Sequence, residues 1–218
     1  MESADPILDS TPEPRLVTAL AKIGLALRTQ SWREAGPQGI TPTQGQILAL
    51  LANGRSSRLA ELATALGITS ATASDAVRAL SDKGLVVKSR AEGDARSLNL
   101  SLSAAGESLA ARTAAWPDFL LEAVGELEPV EQAVMLRSLV KVIRSLQERG
   151  RIAPSQMCLT CTHFRPNAHP GTEQPHHCAF VDAAFGDAGL RLECEEHSPA
   201  PRDQAQHTWE QFSSLTPP

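Results

Sequence analysis

The sequence has no tyrosine, and aromatic residues make up only 4% of its 218 residues. A core with so few aromatics must be packed largely with Leu, Ala and Val, which is typical of a helical protein. No apolar run approaches the roughly 18 residues that a membrane-spanning helix needs. The acidic, proline-rich start also lacks the basic and apolar regions of a signal peptide. We therefore expect a mainly helical, cytoplasmic protein with reduced thiols and no membrane partner.

Cysteine and histidine are missing from the first 157 residues, so that all four cysteines and all six histidines follow later. The net charge of -5 is equally uneven, because residues 154–218 contain 3 basic and 8 acidic residues while the preceding part is balanced. This break in composition predicts a domain boundary near residue 150. The predicted parts are a disordered leader (1–13), a main domain (14–150), a cysteine-rich segment (151–200) and a loose C-terminal tail (201–218).

Apolar residues recur at helical spacing along most of the main domain. They predict helices over 15–32, 42–52, 59–66, 69–83, 104–124 (bent near Pro117) and 128–149. Gly67 joins two short helices, which is typical of a helix-turn-helix. After Gly84 the apolar residues recur at every second position, which predicts strands over 85–90 and 96–102 around a turn. A hairpin in this position is a wing.

Several short motifs occur in the order that a known family uses. They are Leu59-Ala60-Glu61-Leu62-Ala63, Gly67-Ile68-Thr69-Ser70-Ala71-Thr72-Ala73-Ser74, Leu80-Ser81-Asp82-Lys83-Gly84-Leu85-Val86, Asp94-Ala95-Arg96 and Leu102-Ser103-Ala104-Ala105-Gly106. Together they resemble the MarR family of transcriptional regulators over roughly residues 15–148. The resemblance implies a mainly α fold with a small β-hairpin wing, a winged helix-turn-helix with long dimerisation helices. A small irregular Cys-rich domain would follow it.

The resemblance also implies that the helix over 69–83 enters the major groove of double-stranded DNA while the wing contacts the minor groove or phosphates. Between residues 55 and 100 there are seven basic and five acidic residues, a small positive excess. The candidate DNA-binding residues are Arg58, Thr69, Ser70, Thr72, Ser74, Asp75, Arg78, Lys88, Arg90, Asp94 and Arg96. A winged helix used only for protein contacts is the alternative.

Asp75 departs from the family pattern, which often has Arg at this position. Phosphates repel a carboxylate, so Asp75 either accepts a hydrogen bond from a cytosine amino group or pairs with Arg78 one turn later. Asp94 and Arg96 also have a structural alternative, since they could pair with each other and hold the shape of the wing.

The helices over 15–32, 104–124 and 128–149 have wider apolar faces than one winged domain can bury. The resemblance implies a twofold homodimer that sets two recognition helices about one DNA turn apart. An intramolecular core that covers these faces is the alternative.

Four cysteines lie within 37 residues: Cys158 and Cys161 form a C-x2-C motif, and Cys178 and Cys194 follow at wide spacing. In a reducing compartment this pattern predicts a metal site rather than disulfides. Four thiolates fit either tetrahedral Zn²⁺ or a 4Fe-4S iron–sulfur cluster. One C-x2-C followed by two widely separated cysteines distantly resembles the cysteine pattern of high-potential iron–sulfur proteins. Zinc, however, is the commoner occupant of four-cysteine sites. Nearby histidines are further candidate ligands or supporting donors: His163, His176, His177 and His197.

Three functions follow from these observations. The first is a dimeric regulator whose DNA affinity responds to a redox, iron or oxygen signal at an iron–sulfur cluster. The second is a regulator with a structural zinc clip and a small-molecule effector. The third, a metalloenzyme or redox carrier fused to a winged helix, needs an open metal position, whereas four cysteine ligands close the site. We therefore expect no enzymatic activity.

Overall fold

The computed structural model describes residues 11–54, 58–91 and 94–214, with the backbone alone for residues 90, 91 and 94–98. The chain divides into two compact units, Met1–Leu121 and Glu122–Pro218. The compositional boundary predicted near residue 150 lies inside the second unit. None of the helices in the described ranges is long and apolar enough to cross a membrane.

The first unit contains the predicted helix-turn-helix and hairpin. Its elements are α1 (Glu13–Ala35), α2 (Pro42–Ala52), α3 (Leu59–Leu66), α4 (Ser70–Asp82), β1 (Val86–Ala91), β2 (Asp94–Leu102) and α5 (Ala104–Ala114), and α6 (Asp118–Gly125) crosses the division. The strands β1 and β2 pair antiparallel. The predicted fold class, mainly α with a small hairpin wing, is confirmed.

The core of this unit brings the two helices of the helix-turn-helix against α2, the hairpin and α5. Its fully buried side chains include Ile47, Leu48, Leu62 and Leu80. Gly67 ends α3 in the left-handed conformation, with φ 62°, which a residue with a side chain rarely adopts. The turn at Gly67 therefore sets the angle between α3 and α4.

The base of the wing is tied to the start of α5. The Ser103 hydroxyl donates to the Gly84 carbonyl at 2.7 Å, and the Gly106 N–H donates to the Ser103 hydroxyl at 3.0 Å. A Cβ atom at Gly106 would collide with the Leu85 carbonyl. Ser103 and Gly106 thus hold the root of the hairpin against the start of α5.

The second unit consists of α7 (Pro129–Glu148), a small sheet and α8 (Arg202–Ser213). The strands β3 (Phe164–Arg165), β4 (His176–Cys178) and β5 (Ala183–Phe185) form an antiparallel sheet in that order. Two 3₁₀ turns, Cys158–Thr160 and Asp187–Gly189, flank it. The buried core here joins Val140 of α7 to Met157, Leu159, Phe164 and Phe212.

The C-terminal end differs from the loose tail that the sequence predicts. Residues 202–213 form α8, and Phe212 of this helix is completely buried. The Phe212 carbonyl accepts a hydrogen bond from Arg137 of α7 at 2.6 Å. Burial of one aromatic ring and this long-range contact hold the helix in place, and neither leaves a local signal in the sequence.

Candidate functional site

The helix α4 presents a polar surface above its buried face. Ala73, Val77 and Leu80 are buried in the core, at successive steps of four and three positions along the helix. The exposed positions include five of the predicted DNA-contact residues, Ser70, Thr72, Ser74, Asp75 and Arg78. The helix is therefore anchored on one side and accessible on the other, as a recognition helix must be.

The first turn of α4 is fixed by its own hydroxyl groups. Thr69 is the N-cap, and its Oγ1 accepts a hydrogen bond from the Thr72 N–H at 3.1 Å. The hydroxyl oxygens of Thr69 and Thr72 also lie 2.9 Å apart, within hydrogen-bond distance. This capping satisfies one of the free N–H groups at the helix start and orders the end that the sequence analysis assigns to DNA.

Asp75 pairs with Arg78 on the exposed surface of α4. The distance from Arg78 Nη2 to Asp75 Oδ1 is 2.6 Å, and both side chains are about two-thirds exposed. Of the two roles considered for Asp75, pairing one turn along the helix is thus the one that the structure contains. An exposed pair of this kind contributes little stability, about 0–1 kcal/mol.

The remaining predicted contact residues lie at the start of α3 and in the hairpin. Arg58 is exposed at the N-cap of α3, where its backbone N–H donates to Glu61 Oε2 at 3.3 Å. Lys88 is exposed on β1. Arg90, Asp94 and Arg96 lie on the strands of the wing, but their side chains are outside the described part of the structure.

Sequence analysis did not predict a role for Lys83. Its Nζ donates to the Gly39 carbonyl at 2.6 Å and to Gln44 Oε1 at 3.1 Å. These bonds tie the end of α4 to the start of α2. The sequence analysis noted Lys83 as part of the Lys83-Gly84-Leu85-Val86 motif. The structure shows that this lysine holds the end of α4 to the core.

In the second unit, all four cysteines line a single cavity of about 250 Å³. Cys158 and Cys161 come from the first 3₁₀ turn and the residue after it, Cys178 ends β4, and Cys194 follows in a loop. The four thiols are not joined in disulfides. In the described ranges, no group of three or more His, Cys, Asp or Glu side chains is arranged to hold a single metal ion.

The thiols interact with one another and with Arg191. The Arg191 N–H donates to Cys158 Sγ at 3.3 Å, and Arg191 Nη1 lies 3.8 Å from Cys194 Sγ. Burial raises the pKa of the Cys158 thiol; the Arg191 N–H opposes this effect, while the charges of Cys194, Cys161 and Cys178 add to it. Deprotonated, the four sulfurs would repel one another unless a positive centre lay between them.

The candidate histidines have different environments. His163 lines the cavity beside Phe180. His197 Nε2 lies 3.1 Å from the Thr160 hydroxyl, and His177 lies 3.3 Å from both His169 and Asp182. His176 is completely buried, with hydrogen bonds at both ring nitrogens, to Asp187 at 2.9 Å and from the Asn167 N–H at 3.2 Å. These bonds give His176 a structural role.

Two buried arginines connect α7 to the segments that carry the residues of the cavity lining. Arg144 Nη1 donates to the Leu159 carbonyl at 3.0 Å, inside the C-x2-C turn. Arg137 Nη1 lies 2.8 Å from Asp187, which in turn contacts His176 of β4. Burial raises the pKa of Asp187, but the hydrogen bonds from His176 and Arg137 outweigh this effect and lower it below its usual value.

Comparison with known proteins bears on the first unit. Residues 38–97 match the model of the MarR family. A search of curated protein sequences finds no match. Among solved structures, the S. aureus MepR–DNA complex is 26% identical with a TM-score of 0.53, and the match covers 60% of this chain and 96% of MepR.

Two further structures are similar in fold. A MarR-family regulator from Listeria monocytogenes, complexed with 26mer DNA, is 19% identical with a TM-score of 0.55 over 61% of this chain and 89% of its own. Another MarR family transcription regulator is 20% identical with a TM-score of 0.56 over 64% and 93%. The matched family model and these three structures show that this part of the chain has the fold of MarR-family winged-helix proteins.

Proposed function

We propose that this chain is a transcription regulator that binds double-stranded DNA and is not an enzyme. The observation that carries the proposal is the exposed polar face of α4, which is held on a helix-turn-helix core beside a hairpin. The similar S. aureus MepR structure is a DNA complex. In this proposal Ser70, Ser74 and Arg78 face base edges, and the start of α4 faces phosphates.

Substitution of Arg78 tests this role. The chain Arg78→Ala is expected to lose about 1–3 kcal/mol of specific DNA-binding free energy, or roughly fivefold to more than a hundredfold in affinity. Fluorescence anisotropy with an operator selected from random DNA measures the loss. Arg112→Ala, which removes another exposed arginine from α5, is the matched control. Equal affinities for Arg78→Ala and the unchanged chain would remove α4 from the interface.

The wing has its own test, Arg96→Ala. Because the resemblance assigns Arg96 to the minor groove or to phosphates, its loss is expected to weaken binding and, for a phosphate contact, to lower the salt dependence as well. Repeating the titration at several salt concentrations separates the two kinds of contact. Unchanged binding at every salt concentration would exclude the wing.

We also propose a homodimer. Apolar side chains remain exposed on α1, with Leu16 at 59%, Val17 at 66% and Leu20 at 41%, and on α7, with Val130 at 68% and Val134 at 43%. A second copy of the chain would cover such faces. Sedimentation is expected to find a dimer that Val17→Glu weakens, whereas Val87→Glu in the wing leaves it intact. A monomer at micromolar concentration would contradict this assignment.

The four-cysteine cavity would supply the signal. An iron–sulfur centre bound by Cys158, Cys161, Cys178 and Cys194 would modulate DNA binding in the cytoplasm, where thiols stay reduced. The supporting observation is a pair of hydrogen bonds from α7, from Arg144 to Leu159 between Cys158 and Cys161, and from Arg137 to Asp187 two residues before Gly189 of the cavity lining. Oxidation or loss of the centre would shift the population of α7 positions and hence the spacing of the recognition helices.

Removal of the centre tests this regulation. DNA affinity is measured before and after anaerobic treatment with a chelator, and Cys178→Ser provides the chain without a centre. We expect the treated chain and Cys178→Ser to share one altered affinity. An unchanged affinity, together with a response to small molecules, would favour the alternative of a structural zinc site and a small-molecule effector.

A further inference from the structure

We propose that the four-cysteine cavity is built for a cubane 4Fe-4S cluster rather than for a zinc ion. This inference deepens the proposed function and rests on its assignment of the four cysteines. It starts from one observation: all four thiols line the same cavity.

The size of the cavity supports this choice. A structural zinc ion draws its sulfur ligands to about 2.3 Å and leaves no space between them. The cavity here measures about 250 Å³, far more than the roughly 10–15 Å³ that a cavity needs to hold one water molecule. A cubane cluster places four irons and four sulfides between its thiolates, so it needs more space than a single ion does.

The walls of the cavity are mainly apolar. Besides the cysteines, they include Phe164, Phe180, Val181, Ala183 and Phe185. The lining also contains His163, Arg191 and Glu196. Phe164 is buried, whereas Phe180 and Val181 are more than half exposed, so a cluster here would be partly open to water. Solvent exposure is one of the factors that set cluster potentials.

The small sheet explains how one wall forms. Phe164, Cys178 and Ala183 are direct partners across β3, β4 and β5. Residues that pair directly across antiparallel strands point to the same face, so their side chains form one row. Ala183 therefore stands beside Cys178, and its methyl group leaves room that a larger residue would occupy.

Arg191 complements the charge of a cluster. A cubane with four thiolate ligands is an anion, and hydrogen bonds to its sulfurs stabilise that charge. The backbone N–H of Arg191 donates to Cys158, and its guanidinium lies beside Cys194. Cys194 also lies 3.5 Å from Glu196.

The test fills the cavity without changing a ligand. Full-length protein is reconstituted anaerobically with ferrous iron and sulfide or, separately, with zinc. We expect the unchanged chain to bind about four iron and four sulfide per chain, with a broad visible absorption. Ala183→Leu is expected to lose most of the iron and sulfide, because the added side chain occupies the cluster's space. Ala168→Leu, the same change at an exposed position outside the cavity, is expected to retain both.

Cys194→Ser gives an independent measurement if Ala183→Leu does not fold, as judged by circular dichroism. It replaces one of the four proposed ligands, so at least one iron per chain should be lost while the fold persists. Full cluster content in Ala183→Leu, or one zinc and no iron–sulfur cluster in the unchanged chain, would overturn the proposal. DNA binding is measured on the same samples: DNA binding without a cluster means that only this inference fails, whereas a cluster without DNA binding means that the regulator assignment fails.

Discussion

Gly106 illustrates how one missing side chain positions the wing. Because a Cβ atom there would collide with the Leu85 carbonyl, Gly106→Ala must displace either α5 or the root of the hairpin. We expect a loss of about 1–3 kcal/mol in the free energy of unfolding of the first unit, measured by urea denaturation. Gly24→Ala is the control: nothing lies within 4 Å of its added Cβ, and alanine in a helix interior should stabilise by about 0.5–1 kcal/mol. Equal stability of Gly106→Ala and the unchanged chain would contradict the packing.

Asp75 is the other residue whose effect can be isolated. Its carboxylate engages Arg78 and adds negative charge to the face assigned to DNA. In Asp75→Asn this repulsion disappears and Arg78 is released, so DNA affinity should rise about threefold to tenfold at low salt. The control is Asp82→Asn at the other end of α4. Weaker binding of Asp75→Asn would instead indicate that Asp75 accepts a hydrogen bond from a base.

At the scale of elements, the sequence predicts the first unit better than the second. Helices α2 to α5 and the hairpin have strong periodicity, and Thr41, Gly67 and Thr69 mark the ends of helices by local chemistry. The sheet β3–β5 has only two or three residues in each strand, and α8 is held by contacts such as that between Arg137 and Phe212, 75 positions apart. Such non-local contacts leave no periodic pattern.

The candidate metal site could likewise be predicted from the sequence only in part. The spacing of cysteines predicts that Cys158, Cys161, Cys178 and Cys194 come together, and the structure gathers them around one cavity. Their supporting contacts could not be predicted, since Arg144 gives no sign in the sequence that it donates to the Leu159 carbonyl. Val140 is the one buried apolar residue of α7, and the other buried residues of this helix are Arg137 and Arg144, which bind carboxylate and backbone groups.

The network of α7, β4 and the second 3₁₀ turn predicts a particular pH dependence. Asp187 faces His176, Arg137 and, more distantly, Lys141. Its pKa is lowered in the folded chain, so its ionised form adds stability above the unfolded pKa of about 3.9. That contribution disappears as the pH falls below this value through the lowered folded pKa.

Asp187→Asn should therefore be less stable than the unchanged chain at pH 6, and the difference should shrink as the pH falls from about 4 towards 2. Thermal unfolding of both chains at a series of pH values measures the difference. Other carboxylates titrate in both chains and cancel in the comparison. A difference that stays constant down to pH 2 would mean that the charge of Asp187 does not stabilise the fold.

At the scale of the whole molecule, the proposed regulation joins two units of different character. The first unit has the family's winged-helix fold, and the second collects the cysteines, the histidines and the excess negative charge. An acidic unit is repelled by DNA, so it suits the role of a sensor rather than a second DNA-binding surface. In the proposed regulation, α7 is the element of the second unit that bonds Leu159 and Asp187, which neighbour residues of the cavity lining.

Such coupling is reciprocal, which gives a strict test. If two redox states of the centre differ in DNA affinity, saturating DNA must shift the reduction potential of the centre by the same free energy. A tenfold difference in affinity corresponds to about 59 mV for a one-electron couple, and the sign of the shift must favour the state that binds DNA more tightly. Redox titration with and without operator DNA measures it. Arg78→Ala at a DNA concentration too low for it to bind should give no shift. Affinities that differ between states without a shift in potential would mean that the centre does not control DNA binding.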